Sequence, residues 1–170
     1  MKVVVLSEAE FAAAIPRLGE ILSDAVNSGA GVSFMLPFTP GDGARYWQNQ
    51  REAVTKDVKT IFAAMDGSAI AGTVILEKAW APNQPHRGDI AKMLVHSEYR
   101  RKGVGTLLVN ALIEKARAMG LTLLTFDTVS GSPAETFYQN LGFTPVGHIP
   151  GYAMSPLGKL DDTTIFYMKL

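Results

Sequence analysis

Two periods of apolar residues run along this chain, one of about 3.6 and one of two, and they divide it into helices and strands. Lys2 to Leu6 reads as a first strand, closed by the capping-box pattern Ser7-Glu8-Ala9-Glu10. Phe11, Ile15, Leu18, Leu22 and Val26 continue at helical spacing, with Pro16 expected to break or kink that helix and Gly29 to end it. Residues 30–43, with Phe34, Met35, Phe38 and two prolines, predict an irregular apolar segment, followed by a short helix near Ala44 to Thr55. Lys59 to Met65 and Ala69 to Leu76 read as strands joined at Asp66-Gly67, a strong hairpin signal. After a proline-bearing loop at 79–87 come a strand at 89–95 and a helix with Val104, Leu107, Leu108, Ala111 and Leu112 on one face, ending at Gly120. Leu121 to Asp127 is a further strand, and Ser132-Pro133-Ala134-Glu135 caps a helix that stops near Leu141-Gly142. Thr144 to Ile149 and Thr163 to Leu170 predict closing strands around a turn at Pro150-Gly151. The order β-α-α-β-β-β-α-β-α-β-β, without repeat or linker, defines one mixed α/β domain over residues 1–170.

Composition narrows the picture by exclusion. With 47% apolar and 19% charged residues the chain has the balance of a folded globule rather than of a disordered segment. A formal net charge of zero provides no global field toward nucleic acid or an anionic membrane, so any attraction for an anion must be local. The absence of cysteine excludes disulfides, thiolate metal sites and a cysteine nucleophile, and fits a cytoplasmic location. The opening Met-Lys-Val-Val-Val-Leu is too short for the apolar core of a signal peptide, and no run of about 18 apolar residues follows it.

The most informative stretch is Arg100-Arg101-Lys102-Gly103-Val104-Gly105, between an apolar strand and an amphipathic helix. Two glycines let the backbone approach a ligand closely, and the helix start that follows presents free N–H groups and a positive dipole end. Three adjoining cations complete a cradle for a phosphate. A dinucleotide fingerprint would need a third glycine where Leu108 stands, and a nucleotide P-loop would need Gly-Lys-Ser/Thr, whereas Gly158-Lys159 is followed by Leu160. The plain alternative is a solvated charge run followed by a simple turn.

Arg100-x-x-Gly103-x-Gly105 after an apolar strand resembles the acyl-CoA pyrophosphate loop of the GNAT family of N-acetyltransferases, whose order of elements the chain shares. Phe137-Tyr138-Gln139-Asn140-Leu141-Gly142-Phe143 resembles that family's Phe-Tyr-x-x-x-Gly-Phe helix end. Leu124-Thr-Phe-Asp127-Thr128, Gly131-Ser132, Ala134-Glu135-x-Phe137-Tyr138, Pro150-Gly151-Tyr152 and the closing Thr163 to Leu170 are similar to the tabtoxin-resistance type. The resemblance implies a GNAT fold, a mixed central sheet with a splayed strand pair flanked by helices, and acetyl-CoA as cosubstrate. It implies a pyrophosphate cradle of Arg101, Lys102, Gly103, Val104, Gly105 and Thr106, with Arg100 adding charge. Met93, Leu94 and Val95 would pair their backbone with the pantetheine arm. The acceptor would be the amine of a small molecule, in the subtype an amino-acid-like toxin or antibiotic. Pairing between C-terminal strands makes dimers in this family, so a homodimer is compatible with the chain. An acyl-CoA sensor without chemistry and a transferase acting on a protein or peptide amine are the rival readings.

Direct transfer needs a proton acceptor for the attacking ammonium and a proton donor for the leaving thiolate. Tyr138 stands where the family places its donor, and a phenol titrating near 10 stays protonated at neutral pH. Its plain alternative is an aromatic filling the core beside Phe137. Two carboxylates compete for acceptor: Asp89 on the strand entering the site, and Asp127 at the end of its neighbour, each of which would also serve as a turn or strand residue. Phe34, Phe38, Trp47 and Tyr152 together are candidates to wall the acceptor pocket, although packing of a short helix is the stronger reading of the pair Tyr46-Trp47. His86, His96 and His148 lack metal-ligand spacing, so no metal is expected, and no G-x-S-x-G elbow surrounds any serine.

Overall fold

The computed structural model describes all of residues 1–170. A sheet ordered β1-β2-β3-β4-β5-β7-β6 crosses it. Its strands are β1 (Lys2–Val5), β2 (Lys59–Asp66), β3 (Ala69–Lys78), β4 (Arg87–Val95), β5 (Leu123–Val129), β6 (Thr144–Met154) and β7 (Leu160–Lys169). Every pairing is antiparallel except that of β4 with β5. This is the mixed α/β sheet flanked by helices that the sequence predicts.

Helices cover both faces. α1 (Glu8–Asn27), α2 (Pro40–Gln48) and α3 (Arg51–Thr55) lie on one side, with Phe11, Leu18, Leu22 and Trp47 packed on Ile61, Ala63 and Ile75. α4 (Val104–Ala118) and α5 (Pro133–Asn140) cover the other, where Leu108, Leu112 and Tyr138 meet Phe62, Leu76 and Phe166.

Pro16 does not break α1. It sits on the exposed face, where the carbonyl it leaves unpaired reaches water, while Phe11, Ile15, Leu18 and Val26 hold the buried face to the sheet. α1 and α2 cross so closely that a Cβ on Gly43 would lie 2.4 Å from the Gly19 carbonyl oxygen. The expected single helix at 44–55 is two, and the first begins at Pro40, where Thr39 and Asp42 form a capping box. That contact anchors the segment between α1 and α2. The Phe38 carbonyl accepts from Ser23 Oγ (3.1 Å) and Asn27 Nδ2 (2.9 Å).

Two predictions at the C-terminal end are corrected. Pro150 and Gly151 do not turn the chain; they lie in a register shift within β6, and the turn comes at Ser155–Lys159, where Ser155 N–H donates to the Lys159 carbonyl (2.7 Å). β7 therefore starts at Leu160. Leu107, placed on the buried face of α4 by its spacing, is exposed instead, with Val109 and Ile113 taking up the contact.

Candidate functional site

The site begins where the parallel pair comes apart. β4 and β5 pair only from Arg87↔Leu123 to Asp89↔Thr125, and beyond that point they diverge. The cause lies in β4, where Thr73↔Leu94 and Ile75↔Ala91 leave Val74 facing two residues, Lys92 and Met93. This is a β-bulge, with Lys92 at a left-handed φ of 47°. A bulged strand bends, and this bend opens a cavity of about 1080 Å³ between the two strands.

At one end of the cavity is the loop before α4. Gly103 holds φ at 77° with nothing within 4 Å of where its Cβ would stand, so the glycine meets a backbone requirement. No side chain caps α4, and its first backbone bond runs from Leu107 N–H to the Gly103 carbonyl (3.1 Å). The N–H groups of Val104, Gly105 and Thr106 thus have no acceptor in the chain, and all three residues line the cavity. These donors, at the positive end of a 15-residue helix, suit a pyrophosphate. Gly105 answers a different need: a Cβ there would come within 3.2 Å of the Phe137 ring.

The three cations divide. Arg100 lines the cavity, but its Nη2 is 2.8 Å from Asp24 Oδ2 and its Nε donates to the Val95 carbonyl (3.1 Å). Lys102 does not reach the cavity lining; its Nζ lies 5.4 Å from the centre of the Tyr99 ring. Arg101 alone faces the cavity without an ion-pair partner. Met93, Leu94 and Val95 line the bank of β4, with the Leu94 side chain buried on the α1 side.

Tyr138 and Asp127 face the same cavity from α5 and β5. The Tyr138 ring is buried against Phe126, Phe143 and Phe166. Its hydroxyl has no hydrogen-bond partner, yet no buried side-chain polar atom in the structure lacks one, so the hydroxyl opens on the cavity. Burial pushes the phenol well above its usual range and keeps it protonated. Asp127 is exposed, and its Oδ2 accepts a hydrogen bond from Thr163 Oγ1 (2.7 Å). Asp89 stands apart. It lies in the still-paired part of the strands, outside the cavity lining, with Oδ1 held by Arg87 Nη1 (2.9 Å) and by the Thr125 hydroxyl.

The four aromatics expected around the acceptor separate likewise. Trp47 is fully buried between α1 and α2, and its Nε1 donates to the Leu18 carbonyl (2.9 Å); it is a core residue. Phe34 packs on Phe38 and on Tyr46 beside the cavity, in a shallower depression. Tyr152 lines the main cavity from β6. The Leu36 N–H donates to the Pro156 carbonyl (3.2 Å), which ties the segment before α2 to the β6–β7 hairpin. Sequence reasoning missed Lys92, which lines the cavity with its Nζ 5.6 Å from the Phe34 ring centre and 5.4 Å from that of Tyr46. Strand alternation places it on the opposite face, beside Ile90, and only the bulge turns it around.

A helix start with free amides and a buried phenol line one cavity beside a split parallel pair, an arrangement suited to acyl transfer in an α/β protein. The sequence profile of the acetyltransferase (GNAT) family matches residues 32–143, more than half of the chain, and the protein belongs to that family. The L-methionine sulfoximine/L-methionine sulfone acetyltransferase of Pseudomonas aeruginosa is 33% identical over 93 residues, 54% of each chain. The N-alpha-acetyltransferase 30 of Schizosaccharomyces pombe is 31% identical over 48% of this chain and 55% of its own. The chain spans about half the length of the curated relatives it matches. Among solved structures, the ribosomal-protein-alanine N-acetyltransferase of Brucella melitensis superposes with a TM-score of 0.82 at 19% identity over 100% of both chains. A Salmonella typhimurium acetyltransferase solved with its cofactor acetyl-CoA gives 0.79 at 19% identity, over 100% of this chain and 94% of its own. At that identity the likeness is one of fold.

Proposed function

We propose that the protein transfers the acetyl group of acetyl-CoA to the primary amine of a small molecule, by direct attack while both are bound. One observation carries this reading: the free amides of Val104, Gly105 and Thr106, the Tyr138 hydroxyl and the Asp127 carboxylate all open on one cavity.

In this reading the α4 start and Arg101 hold the pyrophosphate, and the divergence of β4 from β5 leaves backbone of Met93 to Val95 free to line the pantetheine arm. The acetyl thioester supplies an activated carbonyl and a thiolate leaving group. Asp127, directly or through a water, takes the proton that the ammonium must lose before its nitrogen can attack. Tyr138 gives its proton to the departing sulfur, since a phenol held above its ordinary range stays protonated at neutral pH. Asp89, gripped by Arg87 and Thr125 outside the cavity, orients the strand pair at the point of divergence.

The link between Leu36 and Pro156 ties the segment before α2 to the β6–β7 hairpin, whose Tyr152 to Met154 line the cavity, and this supports a small amine over a protein tail. The Pseudomonas relative's named substrates make amino-acid-like toxins the first compounds to try, with toxin or antibiotic resistance as the corresponding role. The experiment is CoA release from acetyl-CoA over a panel of amines that includes L-methionine sulfoximine, alongside calorimetric binding of CoA. Turnover of a small amine is expected. CoA binding with no turnover across the panel would indicate a sensor, and a peptide outcompeting every small amine would indicate a protein acceptor.

A further inference from the structure

We infer that Lys92 binds a carboxylate on the acceptor, so that the substrate is a zwitterion held at both ends, its anionic group by β4 and its amine by Asp127 on β5. This rests on the transferase reading and adds the residue that selects the substrate.

The geometry is unusual for a strand lysine. The bulge that splits β4 from β5 also turns Lys92 away from the α4 side and into the cavity. It does so with φ at 47°, a conformation that a residue with a side chain adopts only when its surroundings impose it. Strained non-glycine backbone of this kind gathers at functional sites.

Apart from Arg101 at the cradle, the other cations near this cavity are paired. Lys59 pairs with Glu77 at 3.0 Å, Arg45 with Asp42 at 3.2 Å, and Arg100 with Asp24 at 2.8 Å. Asp127, on the far bank, accepts from Thr163. Lys92 has only a 3.4 Å contact with Ser33 Oγ and the faces of Phe34 and Tyr46, and it joins no ion pair. Burial foremost, and then the nearby charge of Lys59, lowers its pKa; Asp127 and Glu77 oppose that shift without cancelling it. A half-buried ammonium with aromatic walls and no counter-ion is an incomplete arrangement, and an anion entering through the cavity completes it. With Asp127 opposite, the cavity presents a cation and an anion on its two banks, as an amino acid requires.

The test uses a panel of L-amino acids, L-methionine sulfoximine among them, each paired with its carboxamide. Acetyl transfer is measured by CoA release, and binding by calorimetry in the presence of CoA. The acids should bind about ten- to a hundredfold tighter than their amides, the range for a hydrogen bond to a charged group. Lys92→Met should erase the difference by raising KM for the acids while leaving amide turnover within about twofold, and Lys92→Arg should restore part of it. Equal binding of acids and amides by the native protein, a preference that survives in Lys92→Met, or parallel loss of both substrates would each overturn the inference. Acetylation without a carboxylate preference removes this inference and leaves the transferase reading standing. Lys92-dependent binding of acids without acetylation does the reverse, and no binding of either series removes both. Thermal unfolding guards against misfolding: Lys92→Met should unfold no lower than the native protein, since it removes an uncompensated charge.

Discussion

The two ends of the cavity are built from different materials. At the cradle end the chemistry is backbone: amides at the start of α4, fixed by a left-handed glycine and by a helix whose Val104, Leu108 and Leu112 are buried in the sheet. At the end proposed for the acceptor it is side chains, Lys92, Asp127, Ser33 and Tyr152, carried on the β4 bulge, on β5, on the segment between α1 and α2 and on β6. A backbone cradle tolerates many sequences as long as the turn forms. A side-chain pocket changes its ligand with each substitution. Such a division lets a fold be shared with the Brucella and Salmonella structures at 19% identity while the side chains lining its cavity vary.

The sharpest break in the comparison would come from Tyr138, a buried residue held by the aromatic core, to which the proposed mechanism gives proton donation. Tyr138→Phe should lower kcat by about a hundredfold or more with CoA affinity unchanged, because it deletes a proton donor and no packing. A loss below about threefold in steady-state assays would leave the phenol as core filling only. The same residue predicts a pH profile. Burial raises its pKa, so deprotonation of Tyr138 should cause no alkaline fall in kcat up to about pH 10, the ordinary phenol value.

Next in size is the contest between carboxylates. Asp127→Asn should reduce kcat by about ten- to a hundredfold, and most at low pH where more of the amine is protonated. Asp89→Asn should leave kcat within about twofold and instead cost on the order of 1 kcal/mol of stability, since it weakens the links to Arg87 and Thr125. The reverse pattern in paired kinetics and thermal melts would exchange their roles.

The smallest effect tests the cradle alone. Gly103→Ala places a side chain at φ 77° in open space, so strain of about 1–2 kcal/mol is its main consequence. CoA affinity should fall about tenfold, with acceptor KM at saturating acetyl-CoA untouched. A change in acceptor KM of similar size would show that the two ends are not independent.

Much of this was legible before the fold was known, and the exceptions have causes. The cradle could be read because its parts are consecutive: a strand, two glycines, a helix start. Tyr138 came with a short motif around a helix end. For Trp47 the sequence offers both a pocket wall and packing of a short helix, and the close crossing at Gly19 and Gly43 decides for packing by drawing α2 onto α1 and burying the indole. Arg100 counted as a phosphate ligand by position, whereas Asp24, 76 residues earlier in the chain, neutralises it across the fold. Asp127 is the better acceptor on sequence grounds, being at the strand end while Asp89 is one methylene shorter than a glutamate; the place where pairing stops puts Asp127 on the cavity and Asp89 outside it.

The sequence by itself determined most of the order of elements, the glycine turn before α4 and the family, because each is carried by neighbours within a few residues. The tertiary structure decided which charges remain free and which way they point. A single extra residue opposite Val74 reverses the facing of β4, and no local pattern announces it, since a bulge is defined by the strand alongside. Lys92 is the residue whose meaning that reversal changes most.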